Sequence, residues 1–158
     1  MGVKLEVRSA RLTAEGEPGT LKLGVLAELA GFALRGAHQA AGAAFAAMTA
    51  RPGHFAALTL IANNPGITQM RLAAALGRSR STMVPLLDAL ERDGLATREP
   101  RDARSHALAI TAVGRHWLDD MIPKVRAHDA RLTRGLGAGE RATLMRILRI
   151  LKRNFAAP

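Results

Sequence analysis

Residues 65–111 constrain the fold more than any other part of the chain, because they combine two short helical patterns with a basic hairpin. Thr68 can cap a helix that runs through Leu76, since its hydroxyl can accept from the free N–H groups of a first helical turn. Gly77 suits the left-handed residue that ends such a helix. Ser79 can cap a second helix. The predicted order is two helices followed by a two-stranded β wing.

The second predicted helix has one apolar face and one polar face. Met83, Leu87 and Leu90 recur at spacings of four and three, which places them on one side of a helix. We expect this side to pack and the other to be free to contact a partner. The residues expected on the free side are Ser81, Pro85, Asp88 and Arg92.

Composition narrows the class of protein. A chain of 158 residues with 48% hydrophobic residues is typical of about one globular domain. It contains no cysteine, which excludes disulfides, thiolate metal sites and cysteine-based redox sensing. No secretory signal or long apolar span is evident, so we expect a soluble, cytoplasmic protein without membrane contact. The net charge of +10 favours a polyanionic partner, although most of the excess lies outside residues 65–114.

The flanking segments predict further helices. Thr20 is a candidate cap for the first long helix, and Pro52 suits the first turn of the next, from 54 to 62. Thr111 is placed to cap a long helix interrupted by Pro123, and Gly135 stops it. The expected inward positions of the first helix are Leu21, Val25, Leu29 and Phe32, with a second stripe at Leu26, Ala30 and Leu34 that indicates a partner chain. Those of the later helices are Trp117, Met121, Val125, His128 and Leu132, then Leu144, Ile147, Leu148, Leu151 and Phe155.

Several short runs carry a family resemblance, at residues 67–73, 80–84, 90–95, 102–105 and 108–114. In order and spacing they resemble the MarR family of bacterial winged-helix regulators. The resemblance implies a mainly α fold, with a winged helix-turn-helix, a two-stranded β wing, and long N- and C-terminal dimerisation helices.

The breaker-rich N-terminus and the resemblance together predict a division into four parts. Residues 1–19 are an N-terminal arm, and residues 20–64 are dimerisation and scaffold helices. Residues 65–114 are the winged helix-turn-helix DNA-binding region, and residues 115–158 are C-terminal dimerisation helices. The implied assembly is a homodimer on an inverted-repeat operator, because two-fold protein symmetry and palindromic DNA go together.

In such proteins the start of the second motif helix enters the major groove of double-stranded DNA, and the wing reaches the minor groove. Arg104 matches the family's wing arginine, and Asp102 matches the acid that orients it. The alternative is that the wing arginines form a solvated basic turn, and Ala103 replaces a residue that is often basic. The expected DNA-binding residues are Thr68, Gln69, Arg78, Arg80, Ser81, Thr82, Pro85, Arg98, Arg101, Asp102, Arg104 and Ser105.

Pro85 departs from the family pattern, because its ring removes a helical hydrogen bond about one and a half turns beyond Ser79. Either the cap lies nearer Ser81 or the helix bends. The ring could also touch a thymine methyl group. A structural role and a base-contacting role both remain open at this point.

The resemblance implies an effector, commonly a small aromatic acid or related anion. Candidate contacts are Arg35, His38, Met48, Phe55 and Trp117, and the alternative is that the methionine and the aromatic residues are core and Arg35 is solvated.

A metal-responsive regulator is a further alternative, with His116 and Asp120 one turn apart, or His128 beside Asp129, as ligand pairs. We expect neither a metal nor a cofactor.

The chain also lacks the motifs of an enzyme, since it has no cysteine, tyrosine, phosphate loop or nucleophile elbow. Together with this absence, the resemblance implies a ligand-responsive DNA-binding repressor in the cytoplasm, associated with the bacterial nucleoid. An architectural nucleoid protein is the alternative, and activation rather than repression also stays open.

Overall fold

The computed structural model describes residues 21–49, 51, 53–102 and 105–154, with only the backbone described at 101, 102 and 105. Contacts divide the chain into two units, Met1–Ala40 and Ala41–Pro158. None of the helices in the described ranges has the length and apolar character needed to cross a membrane. After a 3-10 helix at Gly24–Glu28, the elements are α1 Ala30–Met48, α2 His54–Asn63, β1 Ile67–Thr68, α3 Gln69–Leu76, α4 Arg80–Arg92, β2 Ala96–Asp102, β3 Ser105–Ile110, α5 Ala112–Leu132 and α6 Ala138–Asn154.

The start and end of α3 and the start of α4 lie where the sequence predicts them. The Thr68 hydroxyl accepts a hydrogen bond from the Arg71 N–H at 3.4 Å, and Gly77 ends α3 with a φ of 62°. The Ser79 hydroxyl accepts from the Thr82 N–H at 3.4 Å. Both predicted caps are confirmed, because side-chain oxygens satisfy N–H groups that a helix cannot pair internally.

The apolar face of α4 forms the centre of the core in the second unit. Met83, Leu87 and Leu90 are almost fully buried, as predicted, and Leu86 is buried beside them. Burying one such side chain contributes roughly 2 kcal/mol. The other buried members of this cluster come from α2, α3, the strands, the turn before β2 and α5: Ala57, Leu58, Ile61, Ile67, Leu72, Ala73, Leu95, Ala96, Leu108 and Leu118.

The sheet has three antiparallel strands in the order β1-β3-β2. The predicted two-stranded wing is present as β2 and β3, but Ile67 and Thr68 add a short third strand that the sequence prediction missed. Leu108 in β3 faces Ile67 on one side and Arg98 on the other. The mainly α winged fold is confirmed, and its sheet is one strand larger than expected because two residues are too few to give an alternating pattern.

The first unit differs from the prediction. Thr20 lies outside the described residues, and the described residues that follow it, 21–23, are not helical. Gly24 has a φ of 53°, and Leu29 has an extended ψ of 114°, so neither is α-helical and α1 starts at Ala30. Leu21 and Val25 are 87% and 67% exposed. The regular apolar spacing therefore spans a 3-10 helix and a break instead of one helix face.

The C-terminal helices keep the predicted boundaries but not all of the predicted burial. Gly135 has a φ of 88° after α5, and the Glu140 carboxylate accepts from the Gly137 N–H at 2.8 Å before α6. No residue of α6 within the described range is buried. Ile147 is 42% exposed, so the expectation that its face points inward is wrong for a single chain, and Phe155 lies outside the described residues.

The junction between the wing and α5 depends on a close backbone approach. The Thr111 hydroxyl caps α5 by accepting from the Gly114 N–H at 2.9 Å and donates to the Gly94 carbonyl at 2.6 Å. The Thr111 N–H donates to the Leu95 carbonyl at 3.1 Å. A Cβ at Gly114 would lie only 1.9 Å from the Leu95 carbonyl oxygen. Only glycine lets the first turn of α5 pack this tightly against the wing.

Replacing Gly114 by alanine is expected to lower the free energy of unfolding by about 2 kcal/mol or more, because the new methyl group overlaps backbone that cannot rotate away. Urea unfolding followed by circular dichroism would measure the loss. Gly139→Ala is the matched control, since a Cβ there meets nothing within 4 Å in the described structure. Equal stability of the two variants would contradict this account of the junction.

Candidate nucleic-acid interface

The first turn of α4 presents a cluster of hydroxyl groups and an arginine. Arg80, Ser81 and Thr82 are exposed, whereas Met83 in the next position is buried. The Ser79 hydroxyl lies 2.8 Å from the Ser81 hydroxyl and 3.2 Å from that of Thr82. A helix start with free N–H groups attracts phosphate oxygens, and the adjacent arginine adds a full positive charge. This end of α4 can therefore bind a polyanion.

A concave surface of about 630 Å³, here called the motif groove, lies between the starts of α3 and α4 and the sheet. Met70, Ala73 and Leu108 supply apolar lining, and His106 lies at the strand side. Its remaining residues include five that the sequence predicts to bind DNA: Thr68, Gln69, Arg78, Arg80 and Arg98. The structure thus brings both motif helices and the wing base together around one basic groove.

Arg78 and Arg98, both predicted to bind DNA, differ in their surroundings. Arg78 is exposed, and its guanidinium lies beside Gly53, so that a Cβ on Gly53 would be 3.2 Å from Arg78 Nη2. The Arg98 side chain is only 24% exposed. It donates to Glu91 Oε2 at 2.5 Å and to Asp88 Oδ1 at 2.8 Å. Arg98 therefore joins β2 to α4 by two ion pairs, and the two acids are site residues that the sequence analysis did not assign.

The tip of the wing lies partly outside the described residues. The backbones of Asp102 and Ser105 face each other in the register of β2 and β3, with a register shift between Pro100 and Asp102. This places the hairpin where the sequence predicts it. Arg104 lies outside the described residues, as do the side chains of Arg101, Asp102 and Ser105.

Pro85 lies inside α4 and is exposed. Because Ser79 is the cap, the alternative of a later cap near Ser81 is wrong. The ring removes the N–H that would otherwise donate to the Ser81 carbonyl, four residues earlier. The helix nevertheless continues to Arg92, held by its buried face.

A family model described as MarR family matches residues 48–105, the segment that contains α2, α3, α4 and β2 and ends at the first residue of β3. The repressor CouR, in a structure bound to a 23-mer DNA duplex, is 38% identical with a TM-score of 0.77, over 85% of this chain and 99% of that chain. The chain belongs to the MarR family. Its members are transcriptional regulators, not enzymes, which agrees with the sequence prediction.

Two curated relatives extend the comparison. The transcriptional regulator HosA of Escherichia coli O111:H- is 31% identical over 97 residues, which are 60% of this chain and 72% of HosA. A putative transcriptional regulatory protein for the hcr operon of Thauera aromatica is 36% identical over 104 residues. That match covers 65% of this chain and 63% of the relative, so the chain spans less than two thirds of that relative's length.

Within this MarR-family chain the predicted effector contacts fall in both units. Arg35 and His38 belong to the first unit and are exposed. Met48, Phe55 and Trp117 belong to the second and are half-buried. Phe55 and Trp117 pack against the hydrophobic core, so a structural role accounts for at least part of their burial.

The histidines considered as metal ligands have other surroundings. His116 Nε2 lies 3.8 Å from Asp120 Oδ2 on an exposed face of α5. His128 Nε2 lies 3.1 Å from the Ala41 carbonyl oxygen, and its ring meets Phe45 edge-on at 5.5 Å. Across the described ranges, no group of three histidine or acidic residues is arranged to hold a metal ion.

Asp93 links the end of α4 to the start of α2, a contact that sequence reasoning missed. Its carboxylate lies 3.4 Å from Arg51 Nη1 and 3.6 Å from Nε2 of the buried His54. Because Asp93 directly follows α4, these contacts fix the exit of that helix. The sequence offers an arginine before α2, a histidine at its first position and an acid after α4, but no spacing that would join them.

Arg80→Ala is expected to weaken DNA binding about fivefold or more and to reduce the slope of log affinity against log salt by about one, the effect of one lost phosphate contact. Fluorescence anisotropy with a labelled upstream duplex would measure both. Arg92→Ala is the matched control, because Arg92 is exposed at the opposite end of α4. Equal losses in both variants would remove the special role of the helix start.

Proposed function

We propose that this protein is a transcriptional repressor that binds an inverted-repeat operator as a homodimer and leaves it when a small aromatic ligand binds. The observation that carries the proposal is the exposed basic start of α4 above a buried face, in a chain closely similar to a DNA-bound repressor. We expect residues 65–114 to read DNA and the flanking helices to dimerise.

The dimer is supported by apolar surface that a single chain leaves uncovered. In the second unit, α6 has Leu144, Leu148 and Leu151 half-buried and Ile147 exposed. In the first unit, Leu21, Val25 and Leu29 are exposed. The α6 residues recur at spacings of three and four, so they share one helix face, and exposed apolar surface of that kind marks interaction sites in soluble proteins. A second copy of the chain is the proposed partner, because a two-fold dimer presents two copies of α4 to two half-sites.

The effector class is taken from the same relative. CouR, in a structure bound to p-coumaroyl-CoA, is 36% identical to this chain, and the match covers 85% of this chain and 99% of CouR. We propose an aromatic acyl thioester of coenzyme A, or its free acid, as the effector here. Such a ligand combines an apolar ring with negative charge. Met48, Phe55 and Trp117, which all belong to the second unit, are candidates to contact the ring.

Release is proposed to follow from a change in the spacing of the two copies of α4. Half-sites one helical turn apart on the DNA fix that spacing. A small change in the spacing therefore misaligns one copy of α4 with its half-site while the other copy is bound. A ligand shifts this equilibrium only by its difference in affinity for the two states. The same difference requires DNA to weaken ligand binding by the same factor.

A salt-controlled titration against the protein's own upstream DNA and a scrambled duplex tests the proposal. A repressor is expected to prefer the upstream duplex by about a thousandfold or more, because specific contacts add to the general attraction for phosphate. Equal affinity for both duplexes would favour an architectural protein.

The same assay, repeated with p-coumaroyl-CoA, coenzyme A, p-coumaric acid and Zn²⁺, separates the effector classes. Release by the thioester but not by coenzyme A is the expected result. Release by the free acid alone would place recognition in the ring and carboxylate. Release by Zn²⁺ alone would replace the aromatic effector with metal sensing.

Arg104→Ala is expected to weaken binding to the upstream duplex about tenfold, because an arginine in a narrow minor groove meets concentrated negative potential. The thermal unfolding midpoint should not change. Arg126→Ala, which removes an exposed arginine of α5, is the control for net charge. An unchanged affinity in the Arg104 variant would remove the wing tip from the mechanism.

A further inference from the structure

Three charged residues, Asp88, Glu91 and Arg98, form what we call the wing clamp. Asp88 and Glu91 lie three positions apart on α4, so they face the same direction on adjacent turns of the helix. Arg98 lies on β2, the strand at the edge of the sheet beyond β3. The side chains of Asp88, Glu91 and Arg98 are 53%, 33% and 24% exposed, respectively. The most buried of them therefore belongs to the wing.

Glu91 holds the backbone and the side chain of the same wing residue. Its Oε1 accepts from the Arg98 backbone N–H at 3.1 Å, and its Oε2 accepts from Arg98 Nη1 at 2.5 Å. Asp88 accepts from the other terminal nitrogen, Nη2, at 2.8 Å. Charge-assisted hydrogen bonds are stronger than neutral ones, and the planar guanidinium fixes the directions of both donors. The strand edge is thus fastened to α4 at one point by three hydrogen bonds.

We propose that Arg98 is a positioning residue of the DNA-binding surface, which sets the angle between the wing and α4 and does not itself contact DNA. The inference rests on the proposed DNA-binding function. Both ends of the Arg98 fork are occupied by carboxylates from α4, so the base of the wing and the second half of α4 are held together before DNA arrives. This reassigns Arg98 from the expected set of DNA contacts.

Arg98 could contact phosphate or position the wing, and these two roles predict opposite effects on DNA affinity when a clamp acid is neutralised. The clamp has two acids and one arginine, and DNA is a polyanion. If Arg98 contacts phosphate, neutralising Glu91 removes a repulsive charge and frees the arginine, so DNA binding should strengthen. If Arg98 positions the wing, neutralising Glu91 loosens the wing and binding should weaken, although the protein becomes more positive.

The decisive variant is Glu91→Gln in the full-length chain, measured by anisotropy against the upstream duplex and its scrambled counterpart. We expect a threefold to tenfold loss of affinity for the upstream duplex and little change on the scrambled one. Asp88→Asn should have a smaller effect, because Asp88 accepts only one of the hydrogen bonds from Arg98 and is more exposed than Glu91. The control is Glu99→Gln, which removes an acid on the same strand that makes no ion pair within the described residues. It should bind as tightly as the parent or more tightly.

A double-mutant cycle with Arg98→Ala completes the test. If Arg98 acts through the clamp, Arg98→Ala should cause little further loss of DNA affinity in a chain that already carries Glu91→Gln. The Arg98→Lys variant keeps the charge but loses the planar fork, so its affinity should be intermediate. Tighter binding by Glu91→Gln, or additive losses with a salt slope reduced by about one in Arg98→Ala, would overturn the inference and make Arg98 a phosphate contact. If the unmodified protein shows no preference for the upstream duplex, the proposed repressor function is wrong. The titration of the unmodified protein therefore separates that outcome from a failure of the clamp.

Discussion

The burial of one face of α4 is the constraint on which the DNA-binding half of the molecule depends. Met83, Leu86, Leu87 and Leu90 fix the rotation of the helix about its axis, because each lies in the core. With that rotation fixed, Arg80 and its neighbours in the first turn have no orientation available other than outward. Pro85 removes one backbone hydrogen bond, and the packed face keeps the helix continuous despite that loss. The core thus determines which residues can meet a ligand.

Ion pairs around α4 show why counting charges says little about where DNA binds. The net charge of +10 suggests a general affinity for polyanions, yet individual arginines near the motif differ in availability. Arg98 is engaged by two acids and Arg51 lies beside Asp93, whereas Arg80 is exposed on the helix start. Pairing converts some cations into structural contacts and leaves others for recognition. The exposed arginines that make no such ion pair within the described residues, more than the total charge, define the candidate interface.

The sequence predicted those features that depend on local chemistry. Caps at Thr68, Ser79 and Thr111 were identified because one side chain and one N–H group three residues later suffice to make them. The third strand, the clamp on Arg98 and the contacts of Asp93 were missed, because each joins segments whose proximity only the folded chain establishes. The first helix was wrongly extended toward Thr20, since apolar spacing is insensitive to the left-handed backbone at Gly24.

Thr68 is at once the last residue of β1 and the residue that caps α3. A strand and a helix therefore share one residue, with no intervening linker to absorb a rotation. Since β1 pairs with β3, and β3 pairs with β2, a tilt of α3 is passed to the wing through backbone hydrogen bonds. We therefore expect α3 and the wing, the two parts of the motif joined in this way, to move together.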